Sequence, residues 1–346
     1  MSDPIEGEHE AMLSRDAIVL RGTGGVWTVQ TEDGESLEVS LKGRLKKDRD
    51  IRKDTRASSR ESMKRSRTED ADRSLKLTVG DRVTIERDDI ESGWAISTIH
   101  PRTSKLARRA PGGARGERVV MVNLDQVIIV FAAARPEPHT KMLDRFLVIA
   151  EANDLAARVV VNKIDLADDH ATREKFAEYA RIGYPVHFTS VKHGDGLAEL
   201  REQVEHRVSA LTGPSGVGKS SLMNTVFPGL DLRTQEISES VNKGRHTTVG
   251  ATLHAIPVGG FLADTPGLRE VGLWGIEPTD IAHCFPELRP MLDECRFADC
   301  THRVEPDCAV RAAVQQGVVS RDRYDSYVKL REELEEGISE PWVLRP

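Results

Sequence analysis

The sequence predicts a chain of three parts: a small N-terminal β-barrel, an α/β domain built on a mostly parallel sheet, and a short helical C-terminal region. Three observations lead to this prediction. Short β-rich segments separated by turn residues fill the first hundred residues, strands then alternate with helical segments, and three cysteines and a histidine cluster near the end. A length of 346 residues accommodates two or three domains.

The barrel is predicted at residues 15–104, after a flexible N-terminus at residues 1–14. Five short segments have the residues of β-strands and are separated by turn signals such as Gly-Gly and Asp-Gly; they are residues 17–20, 25–30, 37–41, 82–87 and 94–99. Five strands of this length suit an OB-fold, a barrel that commonly binds oligonucleotides. A purely structural β-domain is the alternative.

Residues 46–74 interrupt the barrel with almost no large apolar side chains, which predicts a disordered insertion. Residues 41–118 carry 22 Lys and Arg against 13 Asp and Glu, although the whole chain has a net charge of −7. The insertion is either a flexible basic arm that touches phosphates or a solvated linker. A second basic stretch, residues 102–118, is either a contact for an RNA backbone or a hinge.

The α/β domain is predicted at residues 112–274. Its strands are expected at residues 126–131, 157–161, 185–188, 208–211 and 260–263, and its helices at residues 140–153, 170–181, 197–206 and 221–226. Alternation at this spacing is typical of a mostly parallel sheet covered by helices on both faces.

A phosphate-binding loop follows the strand at residues 208–211. The loop fits the Walker A pattern G-x-x-x-x-G-K-[ST] through Gly213, Pro214, Ser215, Gly216, Val217, Gly218, Lys219 and Ser220, with Ser221 in the helix that follows. Glycines allow the backbone N–H groups to face a phosphate, Lys219 would reach the β- and γ-phosphates, and Ser220 would bind Mg²⁺. The chain is therefore expected to bind a nucleoside triphosphate.

Two further loops predict that the base is guanine. Asn162, Lys163, Ile164 and Asp165 form the sequence N-K-x-D directly after a buried strand, where the Asp165 carboxylate can accept hydrogen bonds from guanine N1–H and N2–H₂. Adenine offers no such pair of donors. Asn162 would tie this loop to the phosphate loop, and Ser190 with the Val191 backbone N–H resembles the loop that reads guanine O6.

The remaining nucleotide ligands are expected on two candidate switch loops. Asp264 ends the strand at residues 260–263 and begins D-T-P-G, so it would hold the Mg²⁺ shell while the Gly267 N–H contacts the γ-phosphate. A threonine from the stretch N-K-G-R-H-T-T would complete the metal site, with Thr248 as the first choice and Thr247 as the second. Such loops are ordered by a triphosphate and released after hydrolysis.

The order of these motifs is unusual. An ordinary GTPase runs from the phosphate loop through the switches to N-K-x-D, whereas this chain begins with N-K-I-D and places the phosphate loop and switches afterwards. It resembles a circularly permuted GTPase, which is physically allowed because the ends of such a sheet lie close together.

The C-terminal region, residues 275–346, contains the spacing C-x4-C-x-H-x5-C. Cys295, Cys300, His302 and Cys308 are predicted to form a closed tetrahedral Zn²⁺ site of the structural Cys₃His type. Cys284 is expected to be a small buried residue rather than a ligand. Helices are expected at residues 309–316 and 324–336, and the second is strongly charged, which predicts a solvated face packing on the zinc region.

Composition excludes several classes of protein. No apolar run is long enough to span a membrane and no signal-peptide pattern is present, so a cytoplasmic location is expected. Four cysteines in a chain of this length do not suggest a disulfide scaffold.

Together the barrel, the permuted motifs with G-R-H-T-T and D-T-P-G, and the C-x4-C-x-H-x5-C element resemble the small-ribosomal-subunit biogenesis GTPase family (RsgA type) over almost the whole chain. The resemblance implies GTP hydrolysis to GDP and phosphate, stimulated by the small ribosomal subunit late in its maturation, with rRNA contacts from the barrel and the zinc domain. Two features depart from the family: the insertion at residues 46–74, and Thr265 where the family often has serine.

Catalysis needs a residue to orient water, and Leu268 follows D-T-P-G where many GTPases have glutamine. The resemblance suggests His246 for this role, alongside Lys219, Thr248 and Gly267, although His246 could instead only shape its loop. Two other functions stay open: a GTP-regulated switch that binds a non-ribosomal RNA, and a nucleotide-bound RNA scaffold. A monomer is expected.

Overall fold

The structure is a computed structural model and describes residues 14–23, 25–42, 76–88, 93–109, 117–232, 251–264, 273 and 275–337. The insertion predicted at residues 46–74 lies outside these residues, as do residues 1–13. The chain divides into two compact units. One contains the residues up to Thr103 together with Met121–Asn123, and the other contains Ser104–Val120 and the residues from Leu124 onwards.

The first unit is a closed five-stranded barrel, as the sequence predicts. Its strands are β1 (Ser14–Thr23), β2 (Val26–Thr31), β3 (Ser36–Leu41), β4 (Arg82–Asp88) and β5 (Gly93–Ile99), and they pair in the order β1-β2-β3-β5-β4. All the pairs are antiparallel except β3 with β5. Alternation along the strands places Val19, Val29 and Ile85 inside, where each is fully buried. The OB-like barrel is confirmed.

The described residues of the basic stretch, 102–109 and 117–118, contain β-structure that the sequence did not predict. Two strands, β6 (Lys105–Arg109) and β7 (Glu117–Val122), pair as a small two-stranded sheet. Leu106 and Met121 are fully buried. Leu106 within the basic stretch, and Met121 just after it, are the apolar positions that an interpretation based on charge overlooked.

The second unit contains a six-stranded sheet in the order β10-β9-β8-β11-β13-β12. Its strands are β8 (Gln126–Ala132), β9 (Ala156–Asn162), β10 (Val186–Phe188), β11 (Val208–Thr212), β12 (Thr252–Ala255) and β13 (Phe261–Asp264). All its pairs are parallel except β12 with β13. The sequence did not predict β12, which is a short strand at the edge of the sheet.

Four helices accompany this sheet: α1 (Thr140–Glu151), α2 (Asp169–Ile182), α3 (Leu197–Val204) and α4 (Lys219–Val226). Every residue of β8 is buried, as expected for a central strand covered on both faces. Helix α2 begins where the Asp168 side chain accepts a hydrogen bond from the Ala171 N–H, and ends at Gly183, whose φ of 114° is left-handed. No helix among the described residues is long and apolar enough to cross a bilayer.

The C-terminal region of this unit contains three further helices, α5 (Arg289–Leu292), α6 (Ala309–Gln315) and α7 (Arg321–Glu335), and a 3₁₀ turn at Ile281–Cys284. Helix α7, which the sequence predicted at residues 324–336 with a solvated face packing on the zinc region, also packs on α1, and it does so through buried charged residues. Arg323 is 1% exposed and donates hydrogen bonds to Asp144 (2.6 Å) and Glu287 (2.7 Å). Asp144 also accepts hydrogen bonds from Tyr179 and Ser326. This network joins α1, α2 and α7 across the interior.

Replacing Arg323 with alanine should destabilise the protein by about 3–5 kcal/mol, because the buried Asp144 carboxylate would lose its cation. Chemical denaturation monitored by circular dichroism measures this change. Arg321→Ala is the matched control on the same helix. Arg321 pairs with Asp325, but the two side chains are 74% and 45% exposed, so its loss should cost less than about 0.5 kcal/mol. If both substitutions destabilised the protein equally, the buried ion pair of Arg323 with Asp144 would not be the source of the effect.

Candidate functional site

The motifs predicted to bind nucleotide lie at one edge of the sheet. Strands β9, β10, β11 and β13 end at Asn162, Phe188, Thr212 and Asp264, so the loops that follow them meet at the carboxyl edge. Ligands of open α/β sheets bind outside this edge. Asp264 lies opposite Leu211 in the β11–β13 pair, which places the start of D-T-P-G next to the phosphate loop.

The phosphate loop depends on backbone geometry that favours glycine. Gly213, Gly216 and Gly218 have φ angles of 134°, 76° and 89°. A Cβ on Gly213 would lie 2.0 Å from the Val130 carbonyl oxygen, so β8 and the loop are in close contact. Helix α4 begins directly after Gly218 with Lys219. The Lys219 amine donates hydrogen bonds to the carbonyls of Gly213 (3.0 Å) and Pro214 (2.8 Å), within the loop itself.

The other predicted residues of this loop are placed along it. Val217 is fully buried and belongs to the hydrophobic core beneath the loop. Ser215, Gly216 and Ser221 are exposed, and Pro214 and Ser220 are half-buried. The loop is therefore anchored by one apolar side chain and leaves its polar positions open to a ligand.

Substituting Gly213 with alanine should destabilise the protein by at least about 2 kcal/mol, because both the left-handed φ and the contact with Val130 oppose a side chain. Gly183→Ala is the matched control. Gly183 has a φ of 114° but nothing within 4 Å of its Cβ position, so that substitution measures the backbone strain alone. Thermal unfolding of the two variants should separate the cost of backbone strain from the cost of the contact with Val130. If both variants lost the same stability, the contact with Val130 would contribute nothing.

The N-K-I-D loop is bound to the phosphate loop through two side chains. Asn162 is buried, and its amide donates a hydrogen bond to the Val217 carbonyl (3.0 Å). Lys163 has a left-handed φ of 61°, and its amine donates hydrogen bonds to the carbonyls of Gly216 (2.5 Å) and Arg135 (2.8 Å). Contacts with Val217 and Gly216 fix the distance between the two loops.

Asp165 lies in the 3₁₀ turn Ile164–Leu166, beside the loop after β10. The buried Ser190 hydroxyl donates a hydrogen bond to the Asp165 carboxylate (2.7 Å) and accepts one from the His193 N–H (3.2 Å). Because the Ser190 hydrogen bond stabilises the charged form, the pKa of Asp165 lies below its usual value. Val191 is half-buried and packs on the hydrophobic core. A carboxylate held in this way remains an acceptor of hydrogen bonds at neutral pH.

Sequence reasoning missed two contributors to this arrangement. Thr189 is fully buried, and its hydroxyl donates a hydrogen bond to the side-chain oxygen Oδ1 of Asn162 (3.2 Å), which orients the Asn162 amide toward Val217. Arg135 has a left-handed φ of 52° and supplies the carbonyl that Lys163 contacts. The sequence R-P-E-P, which begins three residues after the end of β8, was the available signal for Arg135, since prolines restrict the conformation of a loop.

Four predicted residues lie outside the described residues: His246, Thr247, Thr248 and Gly267. Their roles stay predictions. The roles assigned to the described residues of the nucleotide site are proposals as well, which the geometry above supports.

Cys295, Cys300, His302 and Cys308 come together as a possible metal site. Their ligand atoms all lie within 4.8 Å of one another. The Cys295 and Cys308 sulfurs are 3.9 Å apart, and His302 Nδ1 lies 3.4 Å and 3.5 Å from them. A tetrahedral ion bound at about 2.3 Å by sulfur separates two sulfurs by about 3.8 Å, so the spacing fits one ion. Cys284 is buried and is not part of this group.

Burial shapes the chemistry of these ligands. It raises the pKa of the Cys300 thiol to about 12 and lowers the pKa of His302. A buried thiolate is therefore unfavourable without a cation, while the neutral imidazole is suited to ligation. Hydroxyls from α7 hold the ligand loop: Tyr324 donates to the His302 carbonyl (2.7 Å) and Tyr327 to the Thr301 carbonyl (2.8 Å).

The carboxylate of Glu305 organises the same loop. It accepts hydrogen bonds from the N–H groups of Thr301 (2.8 Å), Arg303 (3.0 Å) and Val304 (3.1 Å). Burial alone would raise the pKa of Glu305, but the hydrogen bonds from the Thr301 hydroxyl and from the backbone outweigh it and hold the pKa well below the usual range. The loop that carries His302 is thus fixed from inside by one carboxylate and from outside by α7.

Comparison with known proteins agrees with this architecture. The family model described as RsgA GTPase matches residues 99–274. A small ribosomal subunit biogenesis GTPase RsgA from Gemmatimonas aurantiaca is 61% identical over 93% of this chain and 98% of its own length. Another from Bacteroides fragilis is 35% identical over 92% of this chain and 97% of its own length.

Two solved structures are similar over nearly the full length. The crystal structure of YjeQ from Thermotoga maritima has a TM-score of 0.71 and 34% identity, and covers 93% of this chain and 99% of its own. The structure of YloQ, described as a circularly permuted GTPase, has a TM-score of 0.67 and 26% identity, and covers 95% of this chain and 97% of its own. The fold predicted from the permuted motifs is confirmed, and the chain belongs to the RsgA family of small ribosomal subunit biogenesis GTPases.

Proposed function

We propose that this protein hydrolyses GTP to GDP and phosphate, that the small ribosomal subunit stimulates the reaction, and that the protein acts late in maturation of that subunit. The observation that supports the nucleotide part most directly is the joining of the two recognition loops. Asn162 and Lys163, of the guanine motif, bind the Val217 and Gly216 carbonyls of the phosphate loop. Base and phosphates would therefore be held by one connected unit.

Guanine would be selected by Asp165. Ser190 occupies one position on this carboxylate, and the remaining lone pairs are free to accept the guanine N1–H and N2–H₂. An adenine base would leave the carboxylate facing an acceptor, which costs the energy of an unpaired charged group. The Val191 N–H would donate to guanine O6, and Ile164 would shape the loop beneath the base.

The phosphates would be bound by the N–H groups of the phosphate loop and the start of α4, with Lys219 moving from the Gly213 and Pro214 carbonyls onto the β- and γ-phosphates. Ser220 and Asp264 would hold Mg²⁺, together with Thr248 or Thr247. Bound Mg²⁺ would neutralise charge on the β- and γ-phosphate oxygens. Gly267 would contact the γ-phosphate.

Attack by water needs a residue that orients it, and we propose His246 for this role. An imidazole can accept a hydrogen bond from water or take its proton when its pKa suits. The subunit would stimulate hydrolysis by ordering the loop that carries His246. His246→Ala should then remove the stimulation while leaving GTP binding intact, and full stimulated turnover in this variant would refute the role.

We infer that the metal at the Cys₃His site is one structural Zn²⁺ per chain, because three thiolates and one imidazole in a closed tetrahedral group suit zinc. The barrel and this zinc region would contact rRNA. A cytoplasmic location follows from a role in ribosome maturation, and a monomer is the expected state.

The proposal is tested by measuring GTP hydrolysis with and without purified small ribosomal subunits, with ATP as the control nucleotide. A large stimulation specific for GTP is expected. If small subunits do not change the rate of GTP hydrolysis, the proposed stimulation by the ribosome is refuted. If the protein co-sediments with tRNA and not with small subunits, its RNA target is a different one. Equal hydrolysis of ATP would refute the assignment of Asp165.

A further inference from the structure

Two arginines meet at the amino edge of the large sheet, the edge opposite the nucleotide loops. Arg158 is the third residue of β9, and Arg207 directly precedes β11. Both donate hydrogen bonds to the side-chain oxygen of Gln126, the first residue of β8: Arg158 Nε at 2.7 Å and Arg207 Nη1 at 3.5 Å. The guanidinium groups therefore converge on one neutral acceptor.

Gln126 is held in the orientation that this requires. Its side chain is buried, and its amide nitrogen donates to the Gln203 carbonyl (2.7 Å) and to the Ser209 hydroxyl (3.0 Å). With both N–H groups used on that side, the oxygen faces the arginines. Arg207 also donates to the Gln203 carbonyl (3.3 Å). The pair of arginines is thus built into the sheet rather than carried on a loose surface loop.

The positive charge of this pair is not balanced within the described part of the chain, where neither arginine forms an ion pair with a carboxylate. The nearby acids are engaged elsewhere. Glu199 faces His187 Nδ1 at 3.3 Å, and Asp125 accepts a hydrogen bond from the Val208 N–H at 2.7 Å. Burial and the charge of Arg207 both lower the pKa of Arg158.

The neighbouring side chain of His187 does not balance the charge of the two arginines. Its Nε2 lies 3.4 Å from Arg158 Nη1, and burial lowers the pKa of His187, which keeps the imidazole neutral. The buried arginines of this unit differ, because Arg145 pairs with Glu333, Arg323 with Asp144 and Glu287, and Arg331 with Glu335. Half-buried like charges without a counter-ion are unfavourable, so an anion from outside would complete the group.

Arg158 and Arg207 are both half-buried, so solvent reaches each of them. Arg158 also lines a surface cavity of about 310 Å³ with Glu151, Tyr184 and Pro286, and Arg207 is not among the residues that line it. The one carboxylate lining this cavity is that of Glu151, which accepts a hydrogen bond from Tyr184 and pairs with Arg289. A planar guanidinium presents two parallel donors that match the oxygens of a phosphate group. We propose that Arg158 and Arg207 form a phosphate-binding site at the amino edge of the sheet, separate from the phosphate loop.

Two sources could supply the phosphate. One is the RNA backbone of the small ribosomal subunit, and this alternative rests on the proposed function. The other is free phosphate or the phosphate group of a small molecule. Each neutralised backbone phosphate contributes about one unit to the slope of log affinity against log salt concentration, which distinguishes the RNA source from the free anion.

The first arm of the test measures small-subunit affinity over a series of KCl concentrations for the wild type, Arg158→Gln, Arg207→Gln and the control Arg181→Gln. Arg181 is an exposed arginine in α2 of the same unit. Arg158→Gln and Arg207→Gln should each reduce the salt slope by about one unit, while Arg181→Gln leaves it unchanged. An equal change in Arg181→Gln would show a general charge effect and overturn the RNA source.

The second arm uses inorganic phosphate on the full chain with GDP and Mg²⁺ saturating, so that the phosphate loop is filled. Phosphate should raise the wild-type unfolding temperature above that in chloride of equal ionic strength. Arg207→Gln, and the charge-conserving Arg158→Lys, should weaken this response, and their unfolding temperatures without phosphate establish that they fold.

The outcomes separate the proposals. If the variants have both a smaller salt slope and a weaker response to phosphate, the site accepts RNA phosphates. If only the response to phosphate is weaker, the site binds a free phosphate. Variants that match the wild type in both arms overturn the site. If the wild type fails to bind small subunits at all, the proposed function fails, and the second arm still decides the phosphate site.

Discussion

Replacing Asp165 with asparagine should lower the affinity for GTP by about 10²–10³-fold and raise the affinity for xanthosine triphosphate. Hydrogen bonds to a charged group contribute about 1.5–3 kcal/mol each, and the guanine edge would make two of them with Asp165. In the variant the asparagine amide donor would oppose the guanine N2–H₂ donor. Xanthine carries an oxygen at that position, so the same amide donor would find an acceptor. Calorimetric titration with both nucleotides measures the change.

Asp195→Asn is the matched control for this substitution. Asp195 lies in the same loop region, where its backbone carbonyl accepts a hydrogen bond from the Ser190 N–H, but its side chain is 56% exposed. The control should bind GTP with nearly wild-type affinity. If Asp165→Asn also bound GTP as the wild type does, Asp165 would not be the residue that reads the base.

The elements that the sequence predicted correctly are those whose cause is local. The five barrel strands follow from alternation and turn residues, and the phosphate loop follows from the spacing of Gly213, Gly218 and Lys219. The Cys₃His group could be predicted because its four ligands lie within fourteen residues of sequence, so their meeting needs only a short loop. The permuted order of the motifs could be read directly along the chain.

The features that the sequence did not reveal depend on contacts between distant residues. Arg323 and Asp144 are 179 positions apart, and nothing in the charged pattern of α7 distinguishes the buried Arg323 from the exposed Arg321. Arg158 and Arg207 become neighbours only because the parallel sheet places β9 and β11 on either side of β8. Strand β12 was missed because its four residues are too few to show alternation and no recognised motif follows it, whereas the equally short β13 leads into D-T-P-G.

Removing one metal ligand by Cys300→Ser should release the ion and destabilise the C-terminal region far more than a buried cysteine substitution does by itself. Structural zinc sites in small domains contribute about 10–16 kcal/mol of apparent binding free energy at neutral pH. Burial raises the pKa of the Cys308 thiol, so without the ion this remaining ligand would be protonated. Metal content per chain and thermal unfolding measure both effects.

Loss of the ion should spread to α7 through the loop that carries His302. The Tyr324 and Tyr327 hydroxyls bind the carbonyls of His302 and Thr301, and α7 also supplies Arg323 to the network around Asp144. The chain has 4 tyrosines, and Tyr179 and Tyr184 are the other two, both hydrogen-bonded to residues of α1. The near-ultraviolet circular dichroism of tyrosine should therefore decrease when a chelator removes the metal.

Cys284→Ser provides the matched control, because Cys284 is buried in the same region but lies outside the metal group. Burying a hydroxyl in place of this thiol should cost about 1–3 kcal/mol, with the metal content and the tyrosine signal unchanged. A Cys300→Ser protein that kept one ion per chain and wild-type stability would refute the assignment of Cys300 as a ligand. Loss of the ion without any change in the tyrosine signal would instead show that the site is structurally independent of α7.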